Sequence, residues 1–188
     1  MTEEHSPSAL DETTTELRLE ALHERHPGVT PGQAPWFFEA ACVCLSRHHT
    51  PPCSMRVSHS DNERDFAVPW QQPDERMLRA WHNRDETTEF GACAVALAAA
   101  EAMLGLFAVE RGDVRIGADY YMAPEPQVQS LEYALRLEIS GVDQGSEARL
   151  AARLREKVQQ TKLGESNTPA IASVVGFLLL RVLFQTVE

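Results

Sequence analysis

Two short segments decide how the second half of this chain folds: Gly117-Ala118-Asp119-Tyr120-Tyr121 and, after a loop, Arg136-Leu137-Glu138-Ile139-Ser140. Each places one carboxylate inside a run that is otherwise typical of a β-strand. In the second run the side chains alternate, so that Glu138 faces one side of the sheet and Leu137 the other. Acidic residues are poor strand formers and are seldom buried without a partner. Two of them on neighbouring strands therefore predict a metal or catalytic site.

The sequence around these carboxylates predicts the order helix, strand, strand, strand, helix, strand. The predicted elements are a helix over about 86–104, strands near 106–110, 115–122 and 131–140, a helix over about 146–162 with Ser146 as its N-cap, and a strand over about 170–177. The last strand is a continuous apolar run, which indicates burial on both faces. The predicted fold class is therefore α/β, with a mixed sheet flanked by helices over residues 85–188.

The first part of the chain predicts helices and short strands that pack on this core. Residues 1–10 are polar and acidic, and the composition predicts a disordered tail. The predicted elements of residues 11–84 are helices over 11–25, 35–47 and 74–83 and two short strands, 55–58 and 66–68, around a polar turn. The end of the chain after about residue 177 is compatible with either a strand or a helix.

Composition limits the class of protein. The chain has 188 residues, enough for one core, and a formal net charge of −11. That charge argues against broad attraction to nucleic acid, which needs clustered Lys and Arg, but it leaves room for a local basic groove or a basic partner. No signal peptide or transmembrane segment is predicted, since the apolar stretch 171–184 is short and contains Arg181. Four cysteines do not suggest a disulfide framework, so we expect a cytoplasmic protein with reduced thiols.

Over residues 86–178 the order of elements and acids resembles the core of the restriction-endonuclease-like superfamily, whose signature is a Pro-Asp followed by Asp/Glu-x-Lys. On this chain Glu89 matches the acid of the helix, Asp119 that of the second strand and Glu138 that of the third. The Thr88-Glu89-Phe90-Gly91-Ala92 pattern, with the two opening segments, is also similar to an uncharacterised bacterial family.

The resemblance implies metal-dependent cleavage of phosphodiesters. Asp119 and Glu138 would be ligands of Mg²⁺, and Glu89 would orient the metal or its water. The Lys of the family's motif falls on Ser140, which cannot supply positive charge. Arg136, on the same strand face as Glu138, can supply charge but not act as a base. Lys157 or Lys162 of the following helix is a further source of the missing cation.

Structural roles compete with each catalytic role. Asp119 can satisfy backbone amides at a strand end. Glu138 can form a salt bridge with Arg136 or Arg115. Glu89 lies in the first turn of its helix, where an acid is favoured by the macrodipole.

Two further clusters contain side chains of the kinds that bind partners or metals. The helix over 146–162 is locally basic, so it is either a solvated face or a contact for nucleic-acid phosphates or an acidic partner. Its candidate binding residues are Arg149, Arg153, Arg155 and Lys157. A second group, Cys42, Cys44, His48, His49 and Cys53, lacks the usual zinc spacing, so buried cysteines are the better interpretation and no zinc is expected.

Two functions remain open from the sequence. One is a metal-dependent nuclease-like domain in a bacterial multi-component system for defence or DNA processing, as the resemblance implies. The other is a non-catalytic subunit that keeps this fold and binds a protein partner, which the missing Lys and the acidic charge favour. For either, we expect a protein partner or a homo-oligomer, nucleic-acid contact only through the local basic helix, and no membrane.

Overall fold

The computed structural model describes residues 15–112, 117–128, 130–163 and 168–187, so the predicted tail over 1–10 lies outside the described residues. Within these ranges the chain forms four α-helices and seven β-strands. The helices are α1 (Gln33–Ser46), α2 (Glu75–Ala80), α3 (Arg84–Leu104) and α4 (Glu147–Leu163). The strands are β1 (Cys53–His59), β2 (Asn62–Val68), β3 (Phe107–Arg111), β4 (Tyr120–Ala123), β5 (Leu135–Val142), β6 (Ala170–Gly176) and β7 (Arg181–Val187).

All seven strands belong to one mixed sheet with the order β2-β1-β7-β6-β5-β4-β3. The pairs β5–β6 and β1–β7 are parallel, and the other neighbours are antiparallel. Helix α4 makes the crossover between the parallel strands β5 and β6, which a parallel pair requires. The predicted α/β class and the predicted order from α3 to β6 are therefore confirmed.

Helices cover both faces of the sheet. In β6, Ile171 and Val175 belong to the central core with α3, whereas Val174 packs with Leu150 of α4. Because successive side chains of a strand point to opposite faces, α3 and α4 lie on opposite sides of the sheet. Every residue of β6 is buried, as the continuous apolar run predicted.

Glycine allows α3 to lie close to the sheet. A Cβ atom at Gly141 of β5 would lie 2.5 Å from the carbonyl oxygen of Thr88 in α3. The same helix approaches α1 at Gly91, where a Cβ atom would lie 3.1 Å from the carbonyl oxygen of Ala40. The approach at Gly141 places the first turns of α3 directly beside the end of β5.

We expect Gly141→Ala to lower the free energy of unfolding by about 2 kcal/mol, because the new methyl group would force backbone apart in a packed core. Gly32→Ala is the matched control, since the nearest atom to its Cβ would be 3.9 Å away. Urea unfolding of both variants measures the difference. A loss at Gly141 of less than about 0.5 kcal/mol, the level of an ordinary surface substitution, would contradict the close approach of α3 to β5.

The predicted first helix over 11–25 is wrong in its described part. Leu17 and Leu19 are buried while the residues beside them are exposed, which is the period of a strand. The Leu17 amide donates to the carbonyl oxygen of Ala67 at the outer edge of β2. Pairing with this open edge overrides the helical composition of the segment, and only a 3₁₀ turn at Leu22–Glu24 is helical.

The remaining predicted elements are present, although several of their ends are shifted: the strand predicted over 131–140 is β5, which begins only at Leu135. Another shift affects the site. The strand predicted over 115–122 begins only at Tyr120, so Asp119 lies one residue before β4. Gly117 has a φ of 61°, a conformation that bends the chain ahead of the strand. The hairpin of β1 and β2 is present as predicted, and the end of the chain is a strand, β7.

Among the described residues, α3 alone is long and apolar enough to cross a membrane by length and composition. The apolar part of this helix is 67% buried inside the protein. A buried core helix passes the same test, so this is weak evidence for a membrane span.

Candidate functional site

A cleft of about 1130 Å³ opens between the first turns of α3, the end of β3, the segment before β4, β5 and one side of α4. Six of the predicted site residues line it. They are Glu89, Asp119, Glu138, Arg149, Arg153 and Lys157. The fold therefore brings together the three predicted acids and three of the four predicted basic residues of α4.

Asp119 holds its place through both its backbone and its side chain. Its amide donates to the carbonyl oxygen of Leu137 at 2.8 Å, and its Oδ2 accepts the amide of Ile139 at 2.8 Å. Because β4 has not yet begun at this point, the carboxylate takes the place of a strand partner for Ile139. The two bonds fasten Asp119 to β5 on either side of Glu138.

The carboxyl group of Asp119 is costly to ionise in this position. Burial and the negative charge of Glu138 raise its pKa from 3.8 to about 6, against the opposing effects of the Ile139 amide, Arg111 and Lys157. Repulsion between two neighbouring carboxylates is what a bound cation relieves. A strongly raised pKa in a cleft, with a second acid as one of its causes, is typical of a functional site.

Glu138 forms an ion pair with a lysine of α4. The Lys157 Nζ lies 2.6 Å from the Glu138 Oε1, and the two side chains are only 14% and 13% exposed. The alternation predicted for β5 accounts for this contact, since Glu138 points toward α4 and its neighbours Leu137 and Ile139 belong to the core under α3. No hydrogen bond from a described residue reaches the Glu138 Oε2.

Ser140, where the resemblance to the nuclease motif would place a Lys, is hydrogen-bonded to a second basic residue of α4, Arg153. The Arg153 Nε donates to the Ser140 hydroxyl at 2.8 Å, and its Nη1 lies 3.1 Å from Glu156. One turn separates Arg153 from Lys157, so both reach the same strand from one face of the helix. Together they place two cations beside β5.

A further cation stands at the opposite wall of the cleft. The Arg111 Nη2, at the end of β3, lies 3.5 Å from the Asp119 Oδ1. Its guanidinium stacks over the ring of Tyr120, with 4.6 Å from Cζ to the ring centroid. About half of the Arg111 side chain is exposed.

The other predicted site residues differ in their placement. Glu89 is exposed in the first turns of α3 and faces the cleft. Arg136 is buried, and its Nε donates to the carbonyl oxygen of Thr168 at 3.0 Å. Neither Arg136 nor Arg155 lines the cleft, and Arg155 is exposed elsewhere on α4.

The structural roles predicted as alternatives to catalysis for Asp119 and Glu138 are partly present. Asp119 does bind a backbone amide, as the strand-end alternative predicted. Glu138 does form a salt bridge, but with Lys157 rather than with the predicted Arg136, while Arg115 lies outside the described residues. Each acid thus has one oxygen in a hydrogen bond within the protein, Asp119 with the Ile139 amide and Glu138 with Lys157.

The donor set of the cleft suits a hard cation with few protein ligands. Among the described residues, no group of three or more His, Cys, Asp or Glu side chains is placed to hold a metal ion. Mg²⁺ commonly takes only one or two carboxylates and completes its shell with water and substrate phosphate. The carboxylates of Asp119 and Glu138 are donors of the kind that such an ion takes. Burial raises the pKa of Cys42, Cys44, Cys53 and Cys93 to about 12, which makes them poor ligands.

Among the described residues that line the cleft, Arg111 is the cation that sequence reasoning missed. It ends a short strand with no motif around it, so only its position relative to Asp119 reveals it. Asp143 was also missed; it binds His48 of the segment after α1 at 3.0 Å and Arg84 of α3 at 2.6 Å. These bonds fasten the end of β5 to the helices at the rim of the cleft.

Comparisons of the chain with protein-family models, with curated proteins and with solved structures found no match.

Proposed function

We propose that the protein is a metal-dependent nuclease-like domain that hydrolyses phosphodiester bonds in the cleft between β5 and α4. The observation that carries the proposal is the position of Lys157. Its ammonium group lies against Glu138, so a helix supplies the cation that the motif position, Ser140, lacks. The bacterial multi-component setting implied by the resemblance, in defence or DNA processing, belongs to the same proposal.

The two acids would hold the metal. Asp119 offers its Oδ1 and Glu138 its Oε2, the oxygens that are not hydrogen-bonded to Ile139 and Lys157. When bound, a divalent cation lowers the pKa of a water and neutralises charge on the phosphate. Glu89 would orient the metal or its water, as the resemblance implies; it is exposed in α3 and lines the same cleft.

The basic residues of α4 would stabilise the negative charge of the substrate. Lys157 points into the cleft beside the metal ligands, which is the position from which a cation counters charge developing on a phosphate. Arg153 and Arg149 continue along the same face of α4, one turn apart, and line the cleft. A row of cations at helical spacing suits a chain of phosphates, even in a protein of net charge −11.

A second function is favoured by the contacts of the acids themselves. Both carboxylates have internal partners, and Lys157 forms a close ion pair rather than standing unpaired. The same chain is thus suited to a non-catalytic subunit that keeps this fold and binds a protein partner. In that case the ion pair joins α4 to the sheet and has no chemical role.

Cleavage assays separate the two functions. We expect the wild-type protein to cleave DNA or RNA in the presence of Mg²⁺ or Mn²⁺, and Asp119→Asn and Lys157→Met to lose at least about 100-fold of that activity, as for removal of a charge-stabilising group. Lys162→Met is the matched control, because Lys162 is exposed on the same helix and does not line the cleft.

Two results would contradict the nuclease proposal. Equal cleavage by the wild type and by both variants would mean that a contaminating enzyme is responsible. No cleavage by the wild type with either metal on any of the nucleic acids would favour the non-catalytic function.

A further inference from the structure

Among the described residues that line the cleft, Arg111 is the one cation that neither the resemblance nor the proposed mechanism uses. It comes from β3, at the edge of the sheet, and reaches Asp119 from the wall opposite Lys157. Each of the two acids proposed as metal ligands therefore has its own cation. Arg111 lies 3.5 Å from Asp119, and Lys157 lies 2.6 Å from Glu138.

The two ion pairs differ in how tightly they are held. The Lys157 pair is short and mostly buried, whereas the Arg111 side chain is 49% exposed and its contact with Asp119 is long for a hydrogen bond. The guanidinium of Arg111 has a second support in the ring of Tyr120, which is fully buried and therefore fixed. Stacking of this kind does not depend on Asp119, so Arg111 stays in the cleft when the carboxylate is bound by something else.

We propose that Arg111 is the internal counterion of Asp119, which competes with a divalent cation for this carboxylate and, once displaced, binds an oxygen of the substrate phosphate. The inference rests on the proposed function, since it takes Asp119 as a metal ligand. A guanidinium suits both tasks, because it stays charged and presents several N–H donors in one plane to a carboxylate or a phosphate.

The charge balance of the cleft gives the direction of the effect. A divalent cation at Asp119 must approach the positive charge of Arg111 and break its ion pair. Removing the Arg111 charge should therefore strengthen cation binding by about tenfold or more at low ionic strength. The reason is that the doubly charged ion no longer has to approach a positive charge a few ångströms away, in a cleft that is only partly exposed to water. The same change should weaken the binding of a phosphate chain, which loses one of its cations.

The competition between Arg111 and a divalent cation is tested by titrating the full chain with Mn²⁺. Electron paramagnetic resonance measures the concentration of free Mn²⁺. We expect Arg111→Met and Arg111→Gln to bind Mn²⁺ about tenfold more tightly than the wild type, and Arg111→Lys to remain within about twofold of it. Arg155→Met is the matched control for loss of one positive charge, since Arg155 is exposed and does not line the cleft. It should also stay within about twofold of the wild type.

The binding of Arg111 to a substrate phosphate is tested by measuring the affinity of the protein for a short fluorescein-labelled DNA strand in the presence of Ca²⁺. We expect Arg111→Met to weaken it by about tenfold, the cost of one charged phosphate contact, and Arg155→Met to change it far less. Tighter Mn²⁺ binding with weaker DNA binding supports the inference. Unchanged or weaker Mn²⁺ binding in both the Met and the Gln variant overturns it, and so does unchanged DNA binding.

Asp119→Asn separates failure of this inference from failure of the proposed function. If this variant binds Mn²⁺ less tightly than the wild type while the Arg111 variants do not bind it more tightly, Asp119 is a ligand and only the counterion role is wrong. If Asp119→Asn binds Mn²⁺ as the wild type does, Asp119 is not a ligand, and both the inference and the proposed metal site fail.

Discussion

Lys157→Met is expected to lower the free energy of unfolding by about 3 kcal/mol near neutral pH, the largest loss we predict for a single substitution in the cleft. The methionine fills a similar volume but leaves the Glu138 carboxylate without its cation. Both side chains are less than 15% exposed, so water replaces the lost partner poorly. The repulsion between Glu138 and Asp119 also grows, because the positive charge beside them is gone.

Two companion variants make this expectation specific to the ion pair. Lys162→Met, the same change at an exposed position of α4, should cost less than about 0.5 kcal/mol. Combining Lys157→Met with Glu138→Gln removes both charges and should recover most of the loss, leaving a cost within about 1 kcal/mol of the wild type. Chemical denaturation of the four proteins gives the values. If the double variant is as unstable as Lys157→Met alone, the lysine stabilises the fold through packing and not through the charge of Glu138.

Asp119→Asn is expected to have the opposite effect and to stabilise the protein at about pH 8, by about 1–2 kcal/mol. The native pKa of this carboxyl is about 6, against 3.8 for the unperturbed group, so the folded protein holds its proton more tightly than the unfolded chain does. Stability that comes from this proton is present in acid and is lost as the pH rises through the window from about 4 to about 6. The asparagine has no charge to bury and can still accept the Ile139 amide through its side-chain oxygen.

The dependence on pH separates this cause from a general improvement in packing. Urea unfolding should show the gain at about pH 8 and almost none near or below about pH 4, where the carboxyl is protonated in both states. Asp61→Asn, in the exposed turn between β1 and β2, is the matched control and should change little at either pH. A gain of equal size at both pH values would mean that the charge of Asp119 is not its cause. Loss of activity together with gain of stability is the usual mark of a residue kept for function.

Much of the fold could be predicted because its elements have strong local patterns. The alanine-rich α3, bounded by Asn83 and Gly105, and the continuous apolar run of β6 are each unambiguous. The alternation in β5 also predicted that Glu138 and Leu137 face opposite sides of the sheet, and in the structure Leu137 lies in the core while Glu138 contacts Lys157 of α4. What failed was the first helix, because the edge of β2 that pairs with Leu17 lies about 50 residues further along the chain and leaves no local signal.

The site could be predicted only in part, for the same physical reason. Asp119 and Glu138 were identifiable as carboxylates in strand-like runs, and α4 as a basic helix. Which cations reach them depends on the packing of α4 and β3 against the sheet, which sequence spacing does not contain. Arg136 is the clearest example: it is on the predicted face of β5, yet it is buried and bonded to Thr168 away from the cleft.

The most direct test of a metal site formed by Asp119 and Glu138 is a crystal of the protein soaked with Mn²⁺ and measured for anomalous scattering. We predict one peak within about 2.0–2.3 Å of an oxygen of each carboxylate, the range for hard divalent cations of this size. Soaking of Asp119→Asn crystals should remove or strongly reduce it. A cleft without a peak at Mn²⁺ concentrations that support cleavage, or a peak equally strong in the variant, would contradict the site.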